Sequence, residues 1–328
     1  MKWEMFVERI KEEILPQLPG DVEEVMAFDV TKNNGIVYTG LSFKNAQNIA
    51  PTIYLNPYYQ QYLSGRSFEA ILFDIAETYK DNCRTEDFDV DQLLNWDFAK
   101  SHVIKRLVNF DMNKELLKDA PYTQIEDLAV VYQISVSDIF GSEDFATIAV
   151  HNRFLNEWNV TTEELDKAAV ENTRSLLKPR LISLQEIYST ITGEELPFLR
   201  EMGVYMLSNQ YRINAAVHIL DEKVMDEVKE TFGKDVLYVI PSSVHDMLIM
   251  PYDEDFAFED LEEMIREVNE TQLLDSEILS DRAYILDAAE KRFMLASKYE
   301  ERKKERELQE KMQEMSKEPL EPEQKPKL

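Results

Sequence analysis

The chain has 328 residues, long enough for one large domain or for two of ordinary size. Its 44% hydrophobic and 10% aromatic residues exclude global disorder, because a disordered chain has too little apolar surface to build a core. Its net charge of −28 at pH 7 disfavours nucleic acid as a direct partner, since the chain would repel phosphates, and favours a basic protein partner.

The negative charge is concentrated in the body of the chain. Residues 287–328 carry 11 basic and 11 acidic side chains, whereas residues 1–286 carry 25 basic and 53 acidic ones. The simplest role of such an acidic surface is to keep a protein soluble.

Three features bear on the compartment. The sequence contains no run of about 18 apolar residues, so we expect no membrane span. Charged residues are spread through residues 1–15, where a signal peptide would be apolar. The single cysteine, Cys83, cannot form an intramolecular disulfide. We therefore expect a cytoplasmic protein that does not act on a membrane.

The first predicted elements are a helix and a β-hairpin. Apolar residues recur at helical spacing over residues 3–14 and stop before Pro16, which predicts an amphipathic helix. Two β-rich runs, residues 25–30 and 36–43, flank Asn34-Gly35. Asn-Gly between two such runs predicts a tight hairpin turn.

Helices and strands alternate along the rest of the N-terminal half. Ser67 can cap a helix whose apolar face extends to Tyr79. Strands are predicted at residues 52–55, 103–110 and 127–136, the last from its alternation of apolar and smaller or polar residues. Strands joined in this way favour an antiparallel or mixed sheet with helices to one side.

The next element begins at a capping box. Thr161 can accept a hydrogen bond from the backbone of Glu164, whose side chain can reach back, and the helix then ends before Pro179. Further elements predicted up to residue 286 are a helix at 181–191, a strand at 204–207, a helix at 222–232, strands at 236–240 and 244–250, a helix at 258–272 and an edge strand at 283–286.

The composition changes at residue 287. Charged helix formers dominate residues 287–316, with Leu308, Met312 and Met315 on one narrow stripe, which predicts a projecting helix. Residues 317–328 lack core-forming residues and are predicted to be disordered.

These elements predict an α+β protein. We expect two mixed α/β modules with antiparallel or mixed sheets, over residues 1–155 and 156–286. The helical extension, residues 287–316, and the disordered tail, residues 317–328, follow them.

Motifs for common cofactors are missing from the sequence. The four histidines and one cysteine form no H-x-x-x-H or C-x-x-C pair, so we expect no metal. The sequence has no G-x-G-x-x-G and no P-loop pattern, so we expect no nucleotide cofactor.

A polar run interrupts two predicted strands at residues 241–246. Ser243 and His245 are two residues apart and would face the same side of a strand, with Asp246 turned away. A serine nucleophile needs a histidine base within hydrogen-bonding reach, so Ser243 and His245 are a candidate hydrolase pair. The favoured alternative is a hairpin turn in which the hydroxyls of Ser242 and Ser243 satisfy local backbone groups.

Two asparagines are further candidates for a polar site. Asn172 lies seven residues after Leu165, on the apolar face of its helix. It is expected to tie that helix to a neighbouring strand or loop, and lining a pocket is the alternative. Asn209 stands in a polar turn after the strand at 204–207, where Asn214 can cap a short helix. The candidate polar site thus consists of Asn172, Asn209, Ser242, Ser243, His245 and Asp246.

Several segments together resemble a known bacterial family. They are Gly35 to Phe43, Ile53-Tyr54-Leu55 with Tyr58-Tyr59, Asp127 to Tyr132, Ala169-x-x-Asn172-Thr173, Val204 to Asn209, Ala215-Ala216 and Pro241 to Asp246. As a set, over about residues 1–295, they resemble the bacterial domain of unknown function 5688. The resemblance implies a family found mainly in gut Gram-positive bacteria, often beside mobile-element genes. It has no established activity from which catalytic residues could be assigned.

The C-terminal half also resembles a second uncharacterised bacterial family. That family has an Ala-x-x-Asn helix, a strand, an Asp-Ala helix and a Val-x-x-Pro strand pair, although Asn214 stands here in place of the aspartate. The resemblance implies that residues 160–286 form a module found separately.

We expect a non-enzymatic accessory protein that acts through protein contacts. The acidic body and the apolar stripe of the projecting helix suit electrostatic and helix-in-groove contacts. One alternative is a hydrolase-like enzyme that uses Ser243 and His245. The other is an acidic DNA mimic that binds basic proteins.

Overall fold

The structure of the chain is a computed structural model that describes residues 1–44, 52–83, 90–137 and 145–317. The predicted α+β class is confirmed, with helices packed against three sheets in which every strand pairing is antiparallel. Among the described residues, no helix has the length and apolar character of a membrane span.

The first sheet belongs to an N-terminal unit, residues 3–83, which has a core of its own. Its strands lie in the order β1-β2-β3. Its elements are α1 (Trp3–Ile14), β1 (Glu24–Thr31), β2 (Val37–Lys44), β3 (Ile53–Tyr54), α2 (Leu55–Leu63) and α3 (Phe68–Asn82). The predicted hairpin is confirmed, because β1 and β2 pair around a turn in which Asn34 and Gly35 have positive φ angles of 59° and 71°.

The second sheet, here called the central sheet, is formed by β4 to β7. Its β6 pairs with β4 along one edge and with β5 and β7 along the other. The elements of this part are α4 (Trp96–His102), β4 (Val103–Asn109), α5 (Lys114–Leu117), β5 (Tyr122–Ile125), β6 (Leu128–Ser135) and β7 (Thr147–Ala149). The strands predicted at 103–110 and 127–136 are thereby confirmed.

The third sheet has six strands in the order β13-β12-β10-β11-β9-β8. The strands are β8 (Pro179–Ser183), β9 (Tyr205–Asn209), β10 (Val236–Pro241), β11 (Met247–Pro251), β12 (Tyr284–Asp287) and β13 (Arg292–Leu295). The helices from residue 152 onward are α6 (Asn152–Trp158), α7 (Thr162–Leu176), α8 (Leu184–Thr192), α9 (Pro197–Met202), α10 (Glu222–Phe232), α11 (Phe258–Gln272) and α12 (Ala296–Lys317), with a 3-10 turn at Ala215–Leu220.

The start of α7 confirms the predicted capping box. Thr161 Oγ1 accepts a hydrogen bond from Glu164 N at 3.2 Å, and Glu164 Oε2 accepts one from Thr161 N at 2.9 Å. Both bonds satisfy backbone donors that the first helical turn leaves free.

The largest buried cluster spans the central and six-stranded sheets. It contains Leu107 and Tyr132 from the central sheet, Leu165 from α7, and Leu237 and Ile249 from the six-stranded sheet. The burial of these side chains supplies most of the free energy that holds the two sheets together. The boundary near residue 155 remains a prediction.

The structure corrects three predicted strand and helix assignments. The segment predicted as a helix at 181–191 begins with the edge strand β8, in which Leu181 pairs with Leu207 of β9, and Ser183 then caps α8. The strand predicted at the sheet edge is β12, which lies between β10 and β13. The unpredicted β13 covers that edge, and the C-terminal helix begins at Ala296, not at residue 287. The predicted disordered tail lies outside the described residues from residue 318 onward.

Candidate functional site

The segment 241–246 forms the turn between β10 and β11. The backbone N–H groups of Ser242 and Ser243 both donate to Asp246 O, at 3.1 and 3.2 Å. Ser243 Oγ accepts a hydrogen bond from His245 N at 2.9 Å. The Ser243 hydroxyl therefore stabilises the turn itself.

The imidazole of His245 is held by the segment that follows β9. His245 Nδ1 accepts a hydrogen bond from Asn214 N at 3.2 Å, which places the proton on Nε2 in the neutral ring. His245 Nε2 lies 3.9 Å from Glu277 Oε1. Burial lowers the pKa of His245, and the charge of Arg106 lowers it further, against the opposite effect of Glu277 and Asp246.

This geometry differs from that of a serine nucleophile with its base. Within the described residues, no hydrogen bond joins Ser243 Oγ to a histidine ring nitrogen. Such a bond is what activates a serine hydroxyl. Asp246 Oδ1 is buried and has no hydrogen-bond partner in the described part of the chain, so it does not orient His245 either.

Asn209 shapes the turn between β9 and the 3-10 turn. Its Oδ1 accepts hydrogen bonds from Tyr211 N at 2.9 Å and Ile213 N at 3.3 Å, and its Nδ2 donates to Ile213 O at 2.7 Å. All three bonds are local, so Asn209 supports the segment that holds His245 without touching its ring.

Asn172 lies elsewhere, on the half-buried face of α7. Its Nδ2 donates to Lys100 O at 2.9 Å and to Val103 O at 3.0 Å. It thus ties α7 to the end of α4 and the start of β4. The structure brings Ser242, Ser243, His245 and Asp246 together, with Asn209 nearby through Asn214, and places Asn172 apart from them.

A pocket lies where the N-terminal hairpin meets the central sheet. We call it the junction pocket, and its volume is about 570 Å³. One wall is formed by residues 30–33, which end β1 and begin the following turn. The other walls are the face of β4 and β6 that carries Arg106 and Val131, the segment 115–120 and the segment 147–151. The walls are mostly apolar.

Arg106 stands out among the residues of the junction pocket. It projects from the face of β4 that also carries Val108 and that pairs with Val131 of β6. The side chain is half-buried, its Nε is fully buried and has no hydrogen-bond partner among the described residues, and its guanidinium forms no ion pair with them. Burial alone lowers its pKa to about 10, so Arg106 still carries its charge at neutral pH.

The other charged groups of the junction pocket have partners. Lys32 Nζ donates to Tyr54 OH and lies 4.0 Å from the centre of that ring. The Glu115 carboxylate lies 2.6 Å from the Lys118 ammonium. Asp119 Oδ2 lies 3.0 Å from His151 Nδ1. Arg106 is therefore the charged group of this pocket that has no partner among the described residues.

An asparagine cluster holds the hairpin turn beside the junction pocket. Asn34 N donates to Asn113 Oδ1 at 2.8 Å, and Asn113 Nδ2 donates to Asn34 Oδ1 at 2.8 Å and to Asn109 O at 2.9 Å. Asn34 Nδ2 donates to Asp275 O and Ile278 O. These bonds fix the N-terminal unit against the rest of the chain.

The junction pocket also adjoins the turn at 241–246. Gln133 lines the pocket, and its Oε1 accepts a hydrogen bond from Asn214 Nδ2 at 3.2 Å. Because Asn214 N also donates to His245 Nδ1, Gln133 and Asn214 connect the pocket to the imidazole of His245. In the described ranges, no cluster of histidine, cysteine, aspartate or glutamate side chains could hold a metal ion.

Sequence reasoning did not identify Arg106 or the asparagine cluster. The available signal for Arg106 was strand alternation, which places this charge on the same face as Ile104 and Val108. A charged residue on an otherwise apolar strand face is a recognisable anomaly. The side chains of Asn33 and Asn34 gave no signal beyond that of a turn.

Comparison with known proteins identifies one family. The model of a family of unknown function, DUF5688, matches residues 3–288. Neither the curated proteins nor the solved structures contain a match to the chain. Because the matched range covers most of the sequence, the chain belongs to the DUF5688 family of unknown function.

Proposed function

We propose that the chain is a cytoplasmic, non-enzymatic accessory protein that binds a small ligand in the junction pocket. The observation that carries this proposal is the pocket itself, a cavity of about 570 Å³ between two parts of the chain with separate cores. Small-molecule sites usually measure about 300–1,000 Å³, are mostly apolar and lie preferentially at such junctions.

The turn at 241–246 supports a non-enzymatic role. Ser243 Oγ is engaged by the backbone of His245, and His245 Nδ1 is engaged by Asn214. For His245 Nε2 to accept a proton from Ser243, the ring proton would first have to move to Nδ1, which would break the bond from Asn214 N.

The proposal is tested by filling the pocket. Ala120 is 8% exposed and lines the pocket, so Ala120→Phe would occupy its space, whereas Ala257→Phe places the same ring at an exposed position outside it. Saturation-transfer NMR with a library of small acids, amines and neutral compounds would measure binding. We expect hits for the wild type and for Ala257→Phe that are lost in Ala120→Phe. Hits that persist in Ala120→Phe, or a wild type without hits, would contradict the proposal.

A second proposed role is binding to a protein through α12. The first turns of α12 are anchored, because Glu300 Oε1 accepts from Tyr252 OH and Lys303 Nζ donates to Glu254 Oε1. Beyond these turns Leu308 and Met312, which lie one helical turn apart, are 60% and 62% exposed. The net charge of −28 favours a partner with an apolar groove and a basic rim.

This second role is tested by changing the apolar stripe alone. We expect the double change Leu308→Glu with Met312→Glu to abolish capture of a host protein that the wild type and the control Gln309→Glu both retain. Equal capture by all three proteins would contradict helix-in-groove binding. Equal recovery of basic nucleic-acid-binding proteins would instead favour an acidic DNA mimic.

A further inference from the structure

We infer that the ligand of the junction pocket is a monoanionic carboxylate on an apolar body, and that Arg106 binds its carboxylate. This inference rests on the proposed ligand-binding function. It assigns a ligand class and an anchoring residue to the pocket.

The inference rests on the position of Arg106, which lines the pocket and has no partner among the described residues. A buried charge without a partner is unfavourable, and proteins ordinarily pair such groups. Among the described residues Arg106 has no such partner, although the body of the chain holds 53 acidic side chains against 25 basic ones. A carboxylate brought by a ligand would supply the missing partner, since the planar guanidinium matches a carboxylate with two parallel hydrogen bonds.

The other charges in the pocket limit the ligand to one negative charge. Lys32, Arg106, Glu115 and Asp119 all line the pocket. A single carboxylate would pair with Arg106, whereas a doubly charged phosphate would add a second negative charge to a lining in which two basic and two acidic side chains already balance. The electrostatics of the pocket thus favour a carboxylate over a phosphate.

The remaining walls define the rest of the ligand. Val30, Val108, Leu116, Ala120 and Val131 all line the pocket. Contact with these side chains stabilises an apolar group in proportion to the surface it removes from water. An uncharged amide of the same shape would keep these apolar contacts and lose only the pairing with Arg106.

The test compares acids with their amides. Isothermal titration calorimetry would measure the affinity of a panel of straight-chain and aromatic monocarboxylates, each beside its primary amide, and of inorganic phosphate. For the wild type we expect the best acid to bind at least tenfold more tightly than its amide and more tightly than phosphate. In Arg106→Gln we expect the affinity for the acid to fall at least tenfold and the affinity for the amide to stay within twofold.

Arg180→Gln is the matched control, because Arg180 is an exposed arginine of β8 that does not line the pocket. It should change the affinity for the acid less than threefold. Circular dichroism and Tm establish that both variants are folded, and Arg106→Met provides a second neutral variant at the same position.

The outcomes separate the inference from the function beneath it. A wild type that binds acids and amides equally, or an acid affinity that Arg106→Gln and Arg106→Met leave unchanged, would overturn the inference alone. Phosphate binding more tightly than every acid would overturn the carboxylate class. Failure of all acids and amides to bind would overturn the ligand-binding function together with the inference.

Discussion

Replacing Arg106 by methionine should stabilise the protein in the absence of ligand. Burial lowers the pKa of Arg106 from the ordinary value of an arginine to about 10. At about 1.4 kcal/mol per pKa unit, this corresponds to about 3 kcal/mol of unfavourable free energy in the folded state. Methionine removes the charge and keeps most of the apolar stem, so we expect the free energy of unfolding to rise by about 1–3 kcal/mol.

The pH range of this penalty follows from its sign. The folded pKa lies below the unfolded one, so Arg106 is charged in both states at pH 7 and the folded state bears the full penalty. The penalty is relieved only as pH rises through about 10 toward the ordinary pKa of an arginine. Measurements at pH 7 therefore detect all of it.

Urea unfolding at pH 7, followed by circular dichroism, measures the change, and Lys105→Met is the matched control. Lys105 is the next residue along β4, its side chain is 15% exposed, and its Nζ lies 2.8 Å from Asp166 Oδ1. Lys105→Met leaves Asp166 without its ion pair and should lower the free energy of unfolding by about 1–3 kcal/mol. The two variants should therefore change stability in opposite directions.

One result would refute this reasoning. If Arg106→Met lowered the free energy of unfolding by 1 kcal/mol or more (about the net value of one hydrogen bond), Arg106 would have a stabilising partner within the chain. The argument for an anionic ligand would then lose its basis.

Three further changes have definite expected outcomes. Asn113→Ala should lower the free energy of unfolding by about 1–3 kcal/mol, because Asn34 in the hairpin turn and Asn109 O both lose a hydrogen-bond partner. An unchanged urea midpoint would contradict this. Asn172→Leu should lower Tm because it leaves Lys100 O and Val103 O unpaired, and an equal or higher Tm would show that these bonds contribute nothing. Burial lowers the pKa of His218 from 6.5 to about 4, so stability present above pH 6.5 is lost as pH falls toward 4. Between pH 7 and pH 5, the free energy of unfolding measured in urea should fall by about 2 kcal/mol less in His218→Leu than in the wild type. Equal decreases would contradict the lowered pKa of His218.

Elements with local signals could be predicted from the sequence. The capping box at Thr161 and Glu164 and the turn at Asn34-Gly35 are defined by residues within a few positions of one another. Their hydrogen bonds form within a single turn, so their chemistry is visible in a short stretch of sequence. The sequence predicts that Asn172 ties α7 to a neighbouring strand or loop, and its observed bonds agree with this. Helical periodicity is also a local signal, and it places Asn172 on the apolar face of α7.

Elements that depend on distant partners could not be predicted. Leu181 and Ile182 have a pattern that suits a helix, and they form a strand because Leu207 and Met206 lie beside them. The strand β13 is four residues long, begins with a charged residue and pairs with β12 across a short turn. A sequence pattern cannot show which backbone offers unpaired groups, so tertiary pairing overrides the local preference.

The same limit applies to the candidate site. Ser243 and His245 attract attention because they are close in sequence, yet each bonds to a backbone N–H group near the turn. Arg106, Lys32 and His151 are far apart in sequence and meet only because the N-terminal hairpin docks on the central sheet. A pocket assembled from several separate segments has no signature in any one of them.

The junction pocket and the asparagine cluster lie at the same boundary between the N-terminal unit and the rest of the chain. Asn34 and Asn113 hold that boundary with hydrogen bonds, whereas Arg106 has no partner there among the described residues, and we expect its charge to destabilise the unliganded state. A carboxylate bound to Arg106 would remove this penalty and add contacts to residues 30–33 on the opposite wall. Because such a ligand binds only when both walls are in place, it must stabilise the docked arrangement by linkage. An unpaired arginine at this boundary would therefore make the stability of the protein depend on its ligand.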